Sequence, residues 1–196
     1  FKEGLLPANP CVNLSPIKCA KVVRLPYSSI DLEKLKEACT CVRDKAIISF
    51  LLCTGCRISE VCSLNRSDIN FQKGQCIVFG KGAKERTVFI NDVTIMLLKR
   101  YFDERKDALP ALFIGRASKR MTPQGIRNML TTIADKAGVE HVHPHRFRRT
   151  LATNLIDHGM PIQEVASILG HDKLDTTLTY VYSDIENVRN SYKRYS

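Results

Sequence analysis

Residues 143–153 read His-Pro-His-Arg-Phe-Arg-Arg-Thr-Leu-Ala-Thr, an unusually polar beginning for a segment with helical spacing. The apolar residues Phe147 and Leu151 lie four positions apart, which is the spacing of one buried helix face. His145 and Arg148 lie three positions apart and therefore share another face. That face offers a phosphate group one permanent cation and one titratable proton donor. A solvated basic helix end explains the same pattern, so the segment does not decide the function by itself.

Helical patterns flank this segment on both sides. Their starts are marked by Ser28-Ser29, Arg57, Asn91, Thr122-Pro123 and Pro161, and a further helix runs through Ala46 to Leu51. Glycines end three of them, at Gly55, Gly138 and Gly170. From Asp175 the pattern predicts one or two more short helices.

The periodicity changes in the middle of the chain. Residues 75–79 and 85–90 are rich in β-branched and aromatic residues and predict two strands. The basic sequence Gly-Lys-Gly-Ala-Lys at residues 80–84 joins them as a tight turn. The predicted fold class is therefore mainly α with a small antiparallel β-sheet (α+β).

Length and charge narrow the function. The chain has 196 residues, which suggests one domain, and a net charge of +10. Such a basic balance favours a polyanionic partner, nucleic acid before membrane. No uncharged apolar run approaches the ~20 residues that a membrane-spanning helix needs.

The eight cysteines lie between Cys11 and Cys76. Four of them, Cys39, Cys41, Cys53 and Cys56, offer an alternative interpretation as a zinc site. Because Cys53 and Cys56 lie in an apolar, helical segment rather than on paired turns, we interpret the cysteines as buried, reduced thiols and expect no metal. Reduced thiols without a signal peptide indicate a cytoplasmic protein.

Three segments are predicted along the chain. Residues 1–27 contain four prolines and no sustained periodicity, which is typical of an interdomain linker. Residues 28–183, which carry the helical and strand patterns, form the folded domain. Residues 184–196 form a C-terminal tail.

Four short stretches occur in an order that resembles the tyrosine recombinase family, the phage and transposon integrases. They are Thr54-Gly-Cys-Arg-Ile-Ser-Glu-Val61, Gly80-Lys-Gly-Ala-Lys-Glu-Arg86, Pro144-His-Arg-Phe-Arg-Arg-Thr-Leu-Ala-Thr153, and Leu169-Gly-His171 with Thr176-Thr-Leu-Thr-Tyr180. The resemblance covers about residues 28–185 and implies the catalytic-domain fold of that family.

The resemblance also implies a site-specific recombinase of a mobile element, which cleaves and rejoins DNA through a 3′-phosphotyrosine and needs no cofactor, metal or ATP. The implied catalytic residues are Arg57, Lys81, His145, Arg148, His171 and Tyr180. The two arginines would clamp the nonbridging oxygens, Tyr180 would attack phosphorus, and His145 would be the general base. Lys81 would protonate the 5′ oxygen, and His171 would orient the phosphate or Tyr180. Tyr182 is a competing nucleophile.

The expected partner is double-stranded DNA. Further basic residues are candidates for phosphate contacts: Lys84, Arg86, Arg116, Lys119, Arg120, Arg146 and Arg149. Resemblance to the family also implies a tetramer on DNA, in which residues 184–196 are exchanged between protomers or pack in cis. It implies in addition an N-terminal core-binding domain that this chain lacks.

Three other functions remain open from the sequence. A type IB topoisomerase would use similar chemistry but would relax DNA without joining two sites. A noncatalytic DNA-binding module would keep the fold and lose cleavage. A structural zinc protein is the least favoured alternative.

Overall fold

Residues 25–80, 84–115 and 118–170 are described by the structure, a computed structural model of the chain. Seven helices lie within them: α1 (Ser29–Glu37), α2 (Val42–Thr54), α3 (Ile58–Ser63), α4 (Asp92–Glu104), α5 (Pro123–Ala137), α6 (Pro144–Asp157) and α7 (Ile162–Leu169). None of these helices has the length and apolar character needed to cross a membrane. A short 3₁₀ turn, Arg66–Asp68, leads into the sheet.

The sheet has three antiparallel strands in the order β1 (Ile69–Asn70), β2 (Gln75–Phe79) and β3 (Glu85–Phe89). Cys76 pairs with Val88, and both side chains point into the core. Phe79 and Phe89, at alternate positions of these strands, are more than half exposed. The predicted fold class, mainly α with a small antiparallel sheet, is confirmed. The sequence had indicated two of the strands, because β1 is only two residues long.

Helix starts follow the predicted caps. The side chains of Ser28, Asn91 and Thr122 accept hydrogen bonds from backbone N–H groups three residues later, at 3.0, 2.9 and 3.0 Å. Each cap satisfies a donor that the first turn of a helix leaves without a backbone partner. The polar residue before each apolar stripe therefore fixes where α1, α4 and α5 begin.

Helix α2 lies at the centre of the core. Ala46, Ile47, Ile48, Phe50 and Leu51 are each at most 1% exposed, so the helix is buried on almost all sides. It packs against α4 and α6. A smaller cluster of Ala152, Val165 and Leu169 joins α6 to α7. This packing brings the C-terminal ends of α2 and α7 to the same side of α6.

Tyr27 belongs to the folded domain, whereas the sequence had placed it in the linker of residues 1–27. Its backbone N–H donates to Thr150 Oγ1 at 2.8 Å, and its ring lies 4.8 Å from the ring of Phe147. Its hydroxyl accepts from the backbone N–H of His143 at 3.2 Å. Burial raises the pKa of Tyr27 to about 12. Residues 1–24 of the predicted linker and the tail of residues 184–196 lie outside the described residues.

Candidate active site

Arg57 is the N-cap of α3, three residues after α2 ends at Thr54. Gly55 ends α2 with φ of 60°, and a Cβ there would lie 2.8 Å from Leu169 Cδ2. Glycine is therefore required both by the left-handed backbone and by the close approach of α7. The Arg57 backbone N–H and Nη1 both donate to the carboxylate of Glu60, at 2.7 and 2.9 Å. The Arg57 side chain remains 36% exposed, so Glu60 orients it while part of it stays accessible.

Arg148 reaches the same turn from α6 and is only 3% exposed. Its Nη1 donates to the carbonyl of Gly55 at 2.8 Å, and its Nη2 donates to the carbonyl of Leu169. These carbonyls end α2 and α7, where the helix dipole concentrates partial negative charge. A buried cation is costly unless its donors are satisfied. The carbonyls at the two helix ends accept from the Arg148 guanidinium. One of them belongs to Gly55, which precedes Arg57 by two residues in the same turn.

Glu60 and Arg86 form the electrostatic link beside this turn. Arg86 Nη1 and Nη2 donate to the two carboxylate oxygens of Glu60 at 2.8 and 2.7 Å. Burial acts to raise the pKa of Glu60, but the bonds from Arg86 and Arg57 outweigh it and hold that pKa below its ordinary value. Glu60 is therefore an ionised carboxylate in the core, with guanidinium groups on both sides.

His145 is the second residue of α6, one turn before Arg148, and its side chain is exposed. The preceding His143 is the N-cap, whose Nδ1 accepts from the backbone N–H of Arg146 at 3.2 Å. The helix thus begins where the sequence predicted. It presents His145 to solvent and turns Arg148 inward.

Three of the six predicted catalytic residues, Lys81, His171 and Tyr180, lie outside the described residues, as does the alternative nucleophile Tyr182. The glycines that precede Lys81 and His171 in the chain, Gly80 and Gly170, are described. A Cβ at Gly80 would lie 4.0 Å from Arg57 Nη1, and a Cβ at Gly170 would lie 2.8 Å from Arg86 Cδ. The residues that precede Lys81 and His171 therefore lie against the arginines of the site.

The described arrangement suits a reaction at phosphorus. Arg57 and Arg148 supply two permanent positive charges near one turn, and each is oriented by acceptors of the protein. Cations that are fixed before the reaction stabilise a developing negative charge without reorganisation. His145 adds an exposed imidazole from the same helix as Arg148.

Three arginines predicted to contact DNA bind the protein itself. Arg86 is held as described above. Arg120 Nη1 donates to the carbonyls of residues 62–64 at 2.8 to 3.1 Å, at the end of α3. Arg146 donates to the carbonyls of residues 25–26 at 3.0 and 3.3 Å and stacks on the ring of Tyr27. The geometry favours structural roles for these three over the predicted phosphate contacts.

Other predicted DNA contacts are placed differently. Lys84 and Lys119 are exposed, and Arg149 is half-buried on α6. Phosphate contact remains a prediction for these residues. Arg116 lies outside the described residues.

Six of the eight cysteines are described, and all six are free thiols. Cys56 is 2% exposed, and burial raises its pKa to about 12. Cys53 donates to the carbonyl of Phe50 within α2 at 3.6 Å. Cys41 departs from the prediction of buried thiols, because it is the exposed residue before α2. Within the described ranges, no group of three His, Cys, Asp or Glu residues is placed to hold a metal ion.

Glu60 and Tyr27 are the site-supporting residues that sequence reasoning missed. The signal for Glu60 was its position three residues after Arg57, the spacing at which an acidic side chain returns to a helix start. Tyr27 gave no comparable signal, because a single aromatic residue after Pro26 carries no periodicity.

Comparison with known proteins gives consistent matches over this region. The sequence profile of the phage integrase family matches residues 29–187. Tyrosine recombinase XerC of Oceanobacillus iheyensis is 32% identical over 98% of this chain, and XerD of the same organism is 35% identical over 79%. The chain spans 68% of the length of that XerC and 54% of that XerD.

Solved structures match as well. The crystal structure of XerA recombinase aligns with a TM-score of 0.79 at 28% identity, over 88% of this chain and 65% of that chain. The Tn1549 transposon integrase, solved in complex with circular intermediate DNA, aligns with a TM-score of 0.75 at 22% identity, over 88% and 67% of the two chains. The second similarity, at its lower identity, concerns the fold alone.

Proposed function

Because the chain belongs to the phage integrase family and is a tyrosine-type site-specific recombinase, we propose that it cleaves and rejoins DNA through a covalent link between Tyr180 and a 3′-phosphate. The observation that carries the proposal is the placement of Arg57 and Arg148 beside the Gly55 turn. Both are held by protein acceptors before any substrate binds.

In the proposed reaction the two arginines bind the nonbridging oxygens of the scissile phosphate. Charge accumulates there as the phenolic oxygen of Tyr180 approaches phosphorus, and charge-assisted bonds from guanidinium groups strengthen accordingly. Arg148 lies in a protein interior of low dielectric, which makes its positive charge more effective than it would be in water.

Two proton transfers accompany the exchange of bonds. The P–O bond to Tyr180 forms while the P–O bond to the 5′ oxygen breaks. A phenol has an ordinary pKa near ~10, so His145 accepts its proton as general base. Lys81 gives a proton to the departing 5′ oxygen, and His171 orients the phosphate or Tyr180. The phosphotyrosine conserves the bond energy, so rejoining needs neither ATP nor a metal ion.

The proposed substrate is double-stranded DNA carrying a specific site, in a mobile element. Lys84, Lys119, Arg116 and Arg149 contact its phosphates in this proposal. The active form is a tetramer on two DNA sites, with residues 184–196 exchanged between neighbours and a core-binding domain, N-terminal to residue 28, closing round the duplex.

Trapping of the covalent intermediate tests this proposal. The probe is a labelled duplex containing the protein's recombination site, nicked just beyond the cleaved phosphate so that the 5′-hydroxyl fragment diffuses away. We expect wild type and Tyr182→Phe to form an adduct that survives detergent, and Tyr180→Phe to form none. An adduct retained by Tyr180→Phe would refute the assignment. Relaxation of supercoiled DNA without recombined products would instead indicate a topoisomerase.

A further inference from the structure

Arg86 follows the turn of residues 80–84, and its side chain is 9% exposed. Two of its nitrogens bind the Glu60 carboxylate in a parallel pair, at 2.8 and 2.7 Å. The third, Nε, donates to the carbonyl of Ile168 at 3.0 Å. All three nitrogens of the guanidinium are thus engaged by the protein, which leaves this group poorly suited to a DNA phosphate.

The carboxylate that binds Arg86 also binds Arg57. Glu60 Oε1 accepts from both guanidiniums, at 2.8 Å from Arg86 and 2.9 Å from Arg57. A change in the position of Arg86 therefore moves the carboxylate against which Arg57 is oriented. Because the Arg57 side chain is 36% exposed and its Nη1 donates to Glu60, this contact constrains the direction of the guanidinium.

The other end of Arg86 contacts the last turn of α7. The backbone carbonyl of Ile168, rather than its side chain, accepts from Arg86 Nε. The next carbonyl, that of Leu169, accepts from Arg148. Two arginines thus hold consecutive carbonyls at the negative end of α7. Gly170 follows, with its Cα packed against the Arg86 side chain, and leads directly to His171.

Gly80, the residue before Lys81, lies beside the guanidinium groups of Arg86 and Arg57. The backbone N–H of Gly80 donates to the carbonyl of Lys84 at 2.8 Å and closes the turn. A Cβ at Gly80 would lie 3.6 Å from Arg86 Nη1 and 4.0 Å from Arg57 Nη1. The Arg86 side chain therefore lies beside both Gly80 and Gly170.

From these contacts we infer that Arg86 is a positioning residue of strand cleavage, which ties Glu60 to the last turn of α7 and thereby sets the direction of Arg57. The inference rests on the proposed function and deepens it. The fixed, planar fork of arginine is essential, because one ammonium group cannot hold both carboxylate oxygens and a carbonyl in these three directions. Positioning groups behind catalytic residues act by holding the reacting geometry.

The test compares Arg86→Gln and Arg86→Lys with wild type in the full chain, using the nicked duplex described above. Arg100→Gln is the matched control, because Arg100 is a 71% exposed cation on α4 that has no place in the site. We expect both Arg86 variants to form the covalent adduct about 100-fold more slowly under single-turnover conditions. DNA affinity and its dependence on salt should stay unchanged, within about twofold, since no phosphate contact is lost.

Arg86→Gln leaves Glu60 buried with one partner fewer, so folding is controlled with the double variant Glu60→Gln/Arg86→Gln, which removes both charges. We expect this variant to unfold at a higher temperature than Arg86→Gln and still to cleave slowly. Wild-type cleavage rates in either folded variant would overturn the inference, and so would a weakened, less salt-dependent affinity. If wild type itself forms no adduct, the proposed function fails and the inference with it, a result distinct from an active wild type with equally active Arg86 variants.

Discussion

Gly170 and Gly138 allow the contact between Arg86 and α7 to be measured. They end α7 and α5 with nearly the same left-handed φ, 65° and 63°. A Cβ at position 170 would lie 2.8 Å from Arg86 Cδ and 3.2 Å from its Nε, whereas a Cβ at position 138 would meet nothing within 4 Å. Arg86 cannot move aside easily, because Glu60 and Ile168 hold its guanidinium. The two alanine substitutions therefore share the backbone strain and differ in the steric contact.

The expected losses in the free energy of unfolding follow from these contacts. An alanine in the left-handed region costs about 1 to 2 kcal/mol, which is the whole effect expected for Gly138→Ala. Displacing Arg86 weakens hydrogen bonds between charged groups, which adds about 1.5 to 3 kcal/mol for Gly170→Ala. Urea denaturation followed by circular dichroism measures both variants, and an unchanged m-value would show that the unfolded states are comparable.

The reasoning is refuted if the two substitutions destabilise the protein equally. The same measurement in an Arg86→Ala background provides a further check, because alanine lacks the Cδ and Nε atoms that a Cβ at position 170 would meet. There the excess cost of Gly170→Ala over Gly138→Ala should disappear, as expected for two residues coupled by direct contact. If the excess cost of Gly170→Ala persists, it arises from another contact of α7 and not from Arg86.

Three further outcomes are expected. Replacing Arg146 with alanine should lower the free energy of unfolding by about 1.5 to 3 kcal/mol, measured in urea, and leave the salt dependence of DNA binding unchanged; Lys119→Ala should instead reduce that salt slope by about one. The stabilisation from ionised Glu60 should be complete above its ordinary pKa of 4.5 and be lost as pH falls through its lower folded pKa, so Glu60→Gln should flatten the acid limb of a stability–pH curve. A short maleimide pulse read by peptide mass spectrometry should label exposed Cys41 well before Cys56, and equal labelling would contradict the burial of Cys56.

Several elements of the fold were predictable because their signals are local. Thr122 and Pro123 mark the start of α5, Gly138 marks its end, and the apolar stripe between them is the face that packs. These features depend on residues a few positions apart, and a single helix satisfies them. Tyr27 was missed because its partners lie more than a hundred residues away, at Thr150 and His143.

The candidate site shows the same division. The short boxes of the sequence identified Arg57, His145 and Arg148, and the structure places them in and around one turn and on one helix. The interpretation of Arg86 and Arg120 was less successful. Charge alone predicted that they bind an external phosphate, while packing supplies each of them with oxygen acceptors inside the protein.

The amino-acid sequence by itself determined the fold class, the helix boundaries and the residue types of the site, because capping, periodicity and the spacing of the boxes are properties of neighbouring residues. Tertiary structure decided which basic side chains bind acceptors within the protein itself. Arg86 meets Glu60 across 26 positions, and Arg148 meets Gly55 across 93. Such pairs form only when α2, α3, α6, α7 and the hairpin pack together. The net charge of +10 therefore predicted a polyanionic partner, but only the packing distinguished arginines that hold the site from lysines that face solvent.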